Sequence, residues 1–91
     1  MSEKEKIQED FNILEKEVQQ HEIILHNDEV NTFDFVIDSL VNVCEHTEEQ
    51  AEQCTWLVHF KGKCTVKTGE FKDLEPRCSN LLSLGLSAEL I

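Results

Sequence analysis

Basic residues are scarce in this chain of 91 residues, which holds 8 Lys and Arg against 19 Asp and Glu, a formal net charge of −11. Phosphate contacts need clustered Lys and Arg, so this shortage argues against a nucleic-acid partner and against docking on anionic membrane lipid. Hydrophobic residues make up 40% of the chain, which is too many for a disordered acidic tail. The length fits one small domain with a modest core.

A long apolar run is also missing, and no segment approaches the ~20 residues of a membrane span. The first eleven residues, MSEKEKIQEDF, are polar and acidic. They lack the apolar stretch and the small-residue cleavage site of a secretory signal. We therefore expect a cytoplasmic protein.

The four cysteines form no C-x-x-C pair, which argues against a zinc knuckle and a thioredoxin-like redox site. They are Cys44, Cys54, Cys64 and Cys78. Cys44 lies close to His46 and His21 close to His26. Neither pair is matched by a second pair of ligands that would complete a metal site. The sequence therefore predicts no metal site and no cofactor, and cysteines that act as small apolar core residues.

Common catalytic motifs are absent as well, including the Gly-rich phosphate loop, G-x-S-x-G and H-E-x-x-H. One tempting pair is Cys54 and His59, but residues five apart on a helix point in different directions. We expect no catalytic residue and no enzyme, and keep a small cysteine hydrolase as the least favoured hypothesis.

The charge is unevenly distributed along the chain. Residues 1–60 hold 15 acids and 3 bases, whereas residues 61–91 hold 4 acids and 5 bases. The acidic part would attract a cationic partner through its summed field. Acidic helix faces that keep a small protein soluble are the explanation that the charge alone favours.

Hydrophobic spacing divides the chain into an N-terminal arm, residues 1–20, and a domain, residues 21–91. In the arm, apolar residues at helical spacing predict a helix over 3–19, either frayed or docked on another surface. These residues are Ile7, Phe11, Leu14 and Val18.

In the domain, β-branched and apolar runs predict strands at 22–26, 64–68 and 86–91. Capping residues predict a helix from Asn31 or Thr32 to about residue 43, and another from Thr47 to about residue 60. A third helix is predicted from a cap at Asp73, with Pro76 in its first turn and its end at Gly85. The order β-α-α-β-α-β predicts a small α+β sandwich, a three-stranded antiparallel sheet with helices packed on one face.

One cluster of polar residues points to binding chemistry. Asn27, Asp28 and Glu29 directly follow the first strand, and His59 lies in a mostly apolar segment. A lone histidine in such a segment is more often a satisfied core residue. Alternatively, an amide oxygen, a carboxylate and a neutral imidazole nitrogen are all acceptors, and together they could hold a primary ammonium group.

Two motifs resemble a known family. Residues 27–36 are NDEVNTFDFV, where the ClpS family has N-D-D-x-T-P-M-E-F-V. Residues 58–63 are VHFKGK, where the family has V-H-Y-x-G-K. The predicted order of elements agrees too, so the chain resembles ClpS, the adaptor of the Clp proteases, over about residues 21–91.

The resemblance implies an adaptor that binds the exposed N-terminal residue of a substrate (an N-degron) and delivers the substrate to a Clp unfoldase. The partner would be the N-terminal domain of a ClpA- or ClpC-like unfoldase, and the substrates would begin with Leu, Phe, Trp or Tyr. By position, the substrate α-amino group would be held by Asn27, Asp28, Glu29 and His59. The pocket for the first side chain would be lined by Phe33, Val36, Thr55, Val58 and Leu90. The unfoldase-binding stretch would include Glu70, Asp73 and Glu75.

The chain departs from the family pattern at several of these positions. The second Asp of the family pair is Glu29, a Met that acts as a gate is Phe33, and another pocket Met is Thr55. Glu75 stands where the unfoldase-binding stretch has Lys. The runner-up hypothesis is a generic acidic protein–protein interaction module of similar fold.

Overall fold

The computed structural model describes residues 20–91, so the predicted arm helix over 3–19 lies outside the described residues. The elements in chain order are β1 (His21–His26), α1 (Phe33–Cys44), α2 (Glu48–Lys61), β2 (Lys63–Gly69), α3 (Phe71–Ser83) and β3 (Ser87–Leu90). Within residues 20–91, no helix is long and apolar enough to cross a membrane.

The three strands form one antiparallel sheet in the order β2-β1-β3, so β1 is the central strand. Ile23 and Leu25 alternate along β1 and are 0% and 1% exposed, because they face the layer of helices. The predicted α+β fold, with its β-α-α-β-α-β order and three-stranded antiparallel sheet, is confirmed.

The β1–β2 pairing is irregular at Val66. Ile23 pairs with Lys67 and Ile24 with Thr65, so Val66 is an extra residue on β2. The Val66 carbonyl instead accepts a hydrogen bond from Nε2 of His46, in the short break between α1 and α2. His46 therefore ties that break to the sheet, which gives it a structural role.

Side-chain caps fix where the first two helices begin. The Thr32 hydroxyl accepts from the Phe35 amide at 3.2 Å, so Thr32 rather than Asn31 caps α1. Thr47 and Gln50 form the predicted capping box at the start of α2, with bonds of 3.1 and 3.0 Å. Gly62 ends α2 with φ at +90°, a conformation that favours glycine.

The predicted start of α3 is wrong. The helix begins at Phe71 after Glu70, and Asp73 lies within its first turn. Asp73 accepts hydrogen bonds from Arg77 at 3.1 to 3.2 Å, so its side chain stabilises the helix surface rather than capping the helix. Pro76 consequently falls in the second turn, inside the helix.

The core lies between the sheet and the three helices. Its buried members are Ile23, Leu25, Val36, Leu40, Cys44, Ala51, Val58, Val66, Leu74, Cys78, Leu81 and Leu86. Cys54 and Cys64 are half-buried and pack against this cluster. All four cysteines are free thiols that contribute to packing, as the sequence predicts.

Candidate functional site

A cavity of about 320 Å³ opens between the end of β1, the loop that follows it, and the facing sides of α1 and α2. Its wall is formed by the buried residues Leu25, Val36, Thr55, Val58 and Leu86. Its rim is formed by His26, Asn27, Asp28, Glu29, Asn31, Phe33 and His59. The volume lies at the small end of the range of ligand pockets, about 300–1,000 Å³. An apolar interior with a polar rim suits a ligand that has one apolar end and one polar end.

Two backbone hydrogen bonds bring the predicted binding residues together. The Asn27 amide donates to the Gly62 carbonyl at 2.9 Å, and the Gly62 amide donates to the Val58 carbonyl at 3.0 Å. The end of β1 is therefore attached to the last turn of α2, which carries His59. This connection explains why Asn27 and His59 share one cavity although they are distant in sequence.

The Asp28 carboxylate organises the loop between β1 and α1. Its Oδ1 accepts from the amides of Val30 at 3.0 Å and Asn31 at 2.9 Å, and Oδ2 accepts from the Asn31 side chain at 3.0 Å. Burial alone would raise the pKa of Asp28, but the hydrogen bonds from Asn31 and Val30 outweigh it and lower that pKa below its ordinary value. Asp28 is thus held ionised at the rim.

Asn31 closes one side of the cavity, a role that the sequence did not reveal. Besides contacting Asp28, its side-chain amide donates to the Gly85 carbonyl at 2.9 Å. It therefore joins the loop before α1 to the turn before β3. The signal available in the sequence was an Asn three residues after an Asp, a spacing that is typical of side-chain turns.

His59 is exposed, so its interpretation as a core histidine is wrong. Its ring lies edge-on to the Phe33 ring, with centroids 5.2 Å apart. The apolar residues around it, Trp56, Leu57 and Phe60, are themselves exposed. An apolar neighbourhood in sequence therefore did not mean burial here.

Thr55 is 3% exposed, and its hydroxyl donates to the Ala51 carbonyl at 2.7 Å. Because that hydroxyl already has a partner one turn back, it is not a free donor toward a ligand. At this position the cavity wall therefore offers a ligand no hydrogen-bond donor.

Leu90 does not line the cavity. It pairs with Ile23, three residues along β1 from His26, which is about 10 Å along the strand. Leu90 packs against the core instead. Leu86, which precedes β3, lies on the cavity wall and was missed, because the strand prediction did not show which end of β3 meets the cavity.

The predicted unfoldase-binding residues lie at the start of α3. Glu70 and Glu75 are exposed, and the Glu70 side chain makes no cap hydrogen bond. Asp73 is bound to Arg77, which also donates to the Val43 carbonyl at 2.7 Å. Asp73 thus helps to attach α3 to the end of α1, whereas the two glutamates leave their charges at the surface.

The cysteines lie outside the cavity lining. Burial, together with a hydrogen bond to Cys64, raises the pKa of the Cys54 thiol to about 12, and burial raises that of Cys44 to about 11. A nucleophilic cysteine needs a lowered pKa instead. Among residues 20–91, no three His, Cys, Asp or Glu side chains cluster so that they could hold a metal ion.

Comparison with known proteins gives the family. Residues 16–89 match the model of the family described as ATP-dependent Clp protease adaptor protein ClpS. The chain belongs to the ClpS family. ClpS proteins are adaptors, so the prediction that the chain is not an enzyme is confirmed, and the cysteine-hydrolase hypothesis is wrong.

Similar proteins include ATP-dependent Clp protease adapter proteins ClpS from three bacteria. That of Acetivibrio thermocellus is 36% identical over 66 residues, which cover 72% of this chain and 67% of the relative. That of Nitratidesulfovibrio vulgaris is 35% identical over 57 residues, 60% of this chain and 57% of the relative. That of Campylobacter jejuni is 38% identical over 56 residues, 59% and 58% of the two chains.

A solved structure supports the ClpS fold. Agrobacterium tumefaciens ClpS2 bound to L-phenylalaninamide superposes with a TM-score of 0.76, at 20% sequence identity. The match covers 80% of this chain and 95% of the other.

Proposed function

We propose that this ClpS protein binds the free N-terminus of substrates that begin with a bulky hydrophobic residue and delivers them to a Clp unfoldase. The observation that carries the proposal is the cavity at the end of β1, with its apolar wall and acceptor-rich rim. Such a cavity fits the two parts of an N-terminal residue, a charged amino group and an apolar side chain.

The rim provides the acceptors that an α-amino group needs. This group has a pKa near ~7.7–8.0, so it is largely charged at neutral pH and offers only donors. Acceptors are available from the Asn27 amide oxygen, the Glu29 carboxylate and a ring nitrogen of His59. The Asp28 carboxylate adds negative charge beside them while it keeps the loop in place.

The wall provides burial for the first side chain. Val36, Val58 and Leu86 are all below 10% exposed, and Phe33 borders the entrance. Burying a Leu or Phe side chain contributes about 1.5–3 kcal/mol. L-phenylalaninamide, which combines a free amino group with a phenyl side chain, is the compound bound to the ClpS2 neighbour, and this chemistry supports the proposal.

The start of α3 is the proposed contact with the N-terminal domain of a ClpA- or ClpC-like unfoldase. Gly69, just before α3, pairs with His21, whereas the cavity lies at the His26 end of β1. Five residue steps along a strand span about 17 Å. Glu70 and Glu75 can therefore contact one partner while the cavity holds another.

A direct test compares peptides that begin with Leu, Phe, Trp or Tyr with the same peptides acetylated at the N-terminus, titrated by fluorescence anisotropy with a C-terminal label. We expect the free peptides to bind and the acetylated ones to lose binding, because acetylation removes the charge and adds bulk. A second measurement adds a Clp unfoldase N-terminal domain and looks for a ternary complex.

Equal binding of free and acetylated peptides would contradict the proposal, as would no binding of either. Strong salt dependence combined with indifference to the first residue would indicate an acidic interaction module instead. A ternary complex that fails to form although peptides bind would contradict only the delivery step.

A further inference from the structure

An exposed pair of aromatic rings lies on α2 beside the cavity. Trp56 and Phe60 are one helical turn apart, and their rings stack with centroids 5.1 Å apart and planes 8° apart. Trp56 is 44% exposed and Phe60 is 68% exposed. We call these two residues the aromatic shelf.

The aromatic shelf is continuous with the cavity rim. The Phe33 ring, which lines the cavity, lies edge-on to Trp56 with centroids 4.8 Å apart. The His59 ring, which also lines the cavity, lies edge-on to Phe60 at 5.1 Å. Neither Trp56 nor Phe60 itself lines the cavity, so the shelf begins where the rim ends.

We propose that Trp56 and Phe60 bind the side chain of the substrate's second residue and favour an aromatic side chain there. This inference rests on the proposed function. A peptide whose first residue fills the cavity has its second Cα only about 3.8 Å from the first. The second side chain therefore lies at the rim, and the shelf adjoins that rim at Phe33 and His59.

The local chemistry favours a flat apolar side chain over a charged one. Glu52 lies one turn before Trp56 and Lys61 directly follows Phe60, so the charges that flank the shelf on α2 are of opposite sign. Ring faces interact well with other aromatic rings in stacked or edge-on geometry. The negative face of each ring also disfavours an acidic side chain.

The test uses four peptides that differ only at the second position, with Leu first and Phe, Ala, Arg or Glu second, labelled at the C-terminus. We expect the Leu-Phe peptide to bind about three- to tenfold more tightly than the Leu-Ala peptide, a range typical of one aromatic pair. Trp56→Ala and Phe60→Ala should each bring this ratio close to one. Phe35→Ala is the matched control, since Phe35 is 38% exposed on α1 and lies outside the cavity lining, and it should keep the wild-type ratio.

The readout is the ratio of the affinities for the Leu-Phe and Leu-Ala peptides. A disturbance of Phe33 or His59 would change both affinities together and leave their ratio unchanged. Trp56 is the only tryptophan, and the chain has no tyrosine, so its emission reports directly on the shelf. The emission should shift more with Leu-Phe than with Leu-Ala.

Equal affinities of the wild-type protein for Leu-Phe and Leu-Ala would overturn the proposed role of the aromatic shelf and leave the proposed function intact. A gain with Leu-Arg as large as with Leu-Phe would also overturn it, because charge rather than ring contact would then be selected. If no peptide with a free N-terminus binds, the proposed function itself fails.

Discussion

The two ends of the central strand β1 present different surfaces. At the His26 end, the chain encloses an apolar cavity whose rim carries acceptors. At the His21 end, α3 begins with exposed acidic residues and one carboxylate, Asp73, that is already bound to Arg77. The first surface suits recognition of a small, defined group, and the second suits contact with a larger partner. A small adaptor can therefore keep its two proposed tasks at opposite ends of one strand, about 17 Å apart.

The largest expected effect comes from removing the acceptors at the cavity end. Asn27→Ala and His59→Ala should each weaken binding of a Leu-initiated peptide by at least ~1 kcal/mol, about fivefold, because a buried ammonium group then lacks a partner. Fluorescence anisotropy measures this loss. Both side chains are exposed, so circular dichroism should show an unchanged fold.

Asn42→Ala is the matched control for this pair, since Asn42 is an exposed asparagine on α1 that does not line the cavity. It should bind the peptide as the wild-type protein does. Unfolding of His59→Ala would contradict the assignment and restore a structural role for that histidine.

Charge reversal at the His21 end of β1 should affect unfoldase binding without affecting peptide binding. Glu70→Arg combined with Glu75→Arg should weaken binding of a Clp unfoldase N-terminal domain several-fold, because charges at an interface set partner choice and association rate. Peptide affinity should stay within about twofold. Isothermal titration of each partner measures both, and a parallel loss of peptide binding would contradict the separation of the ends.

A smaller effect on peptide binding is expected from Asn31→Ala. The substitution removes the bond to Gly85 and two of the bonds to Asp28, and net hydrogen bonds contribute about 0.5–1.5 kcal/mol each. Urea unfolding should show lower stability, and peptide binding should weaken modestly because the rim loosens. Asn80→Ala, at an exposed position of α3, should change neither.

Much of the fold could be predicted because local chemistry determines it. The Thr47 capping box and the left-handed Gly62 both lie where the sequence indicates. Asp73 shows the limit of this reasoning: a good capping residue was instead used in a pair with Arg77. Capping preference is a local energy of about 1 kcal/mol, and here the side chain pairs instead with a residue one turn along the same helix, which in turn bonds to the Val43 carbonyl of α1.

The candidate site was only partly predictable for a similar reason. Asn27 and His59 could be chosen from their residue types and motifs, but the bond from Asn27 to Gly62 that brings them together is a tertiary contact. Leu86 was missed because it belongs to no motif, and Asn31 was missed because, although it lies within the NDEVNTFDFV motif, it was considered only as a helix cap. Their place at the cavity follows from how the turn before β3 packs against the loop before α1.

The smallest expected effect is an acid-dependent loss of stability at Asp28. Its pKa is lowered in the folded protein, so its ionised form stabilises the fold above the unfolded-state value near 3.8. This contribution is lost as the pH falls through the lower folded-state pKa. Asp28→Asn should therefore be less stable than the wild-type protein near pH 6, and the difference should shrink below pH 4. Asp38→Asn, which changes an exposed carboxylate on α1, should run parallel to the wild-type protein in urea unfolding across this range. A constant difference between Asp28→Asn and wild type at every pH would show that the carboxylate's charge does not hold the loop.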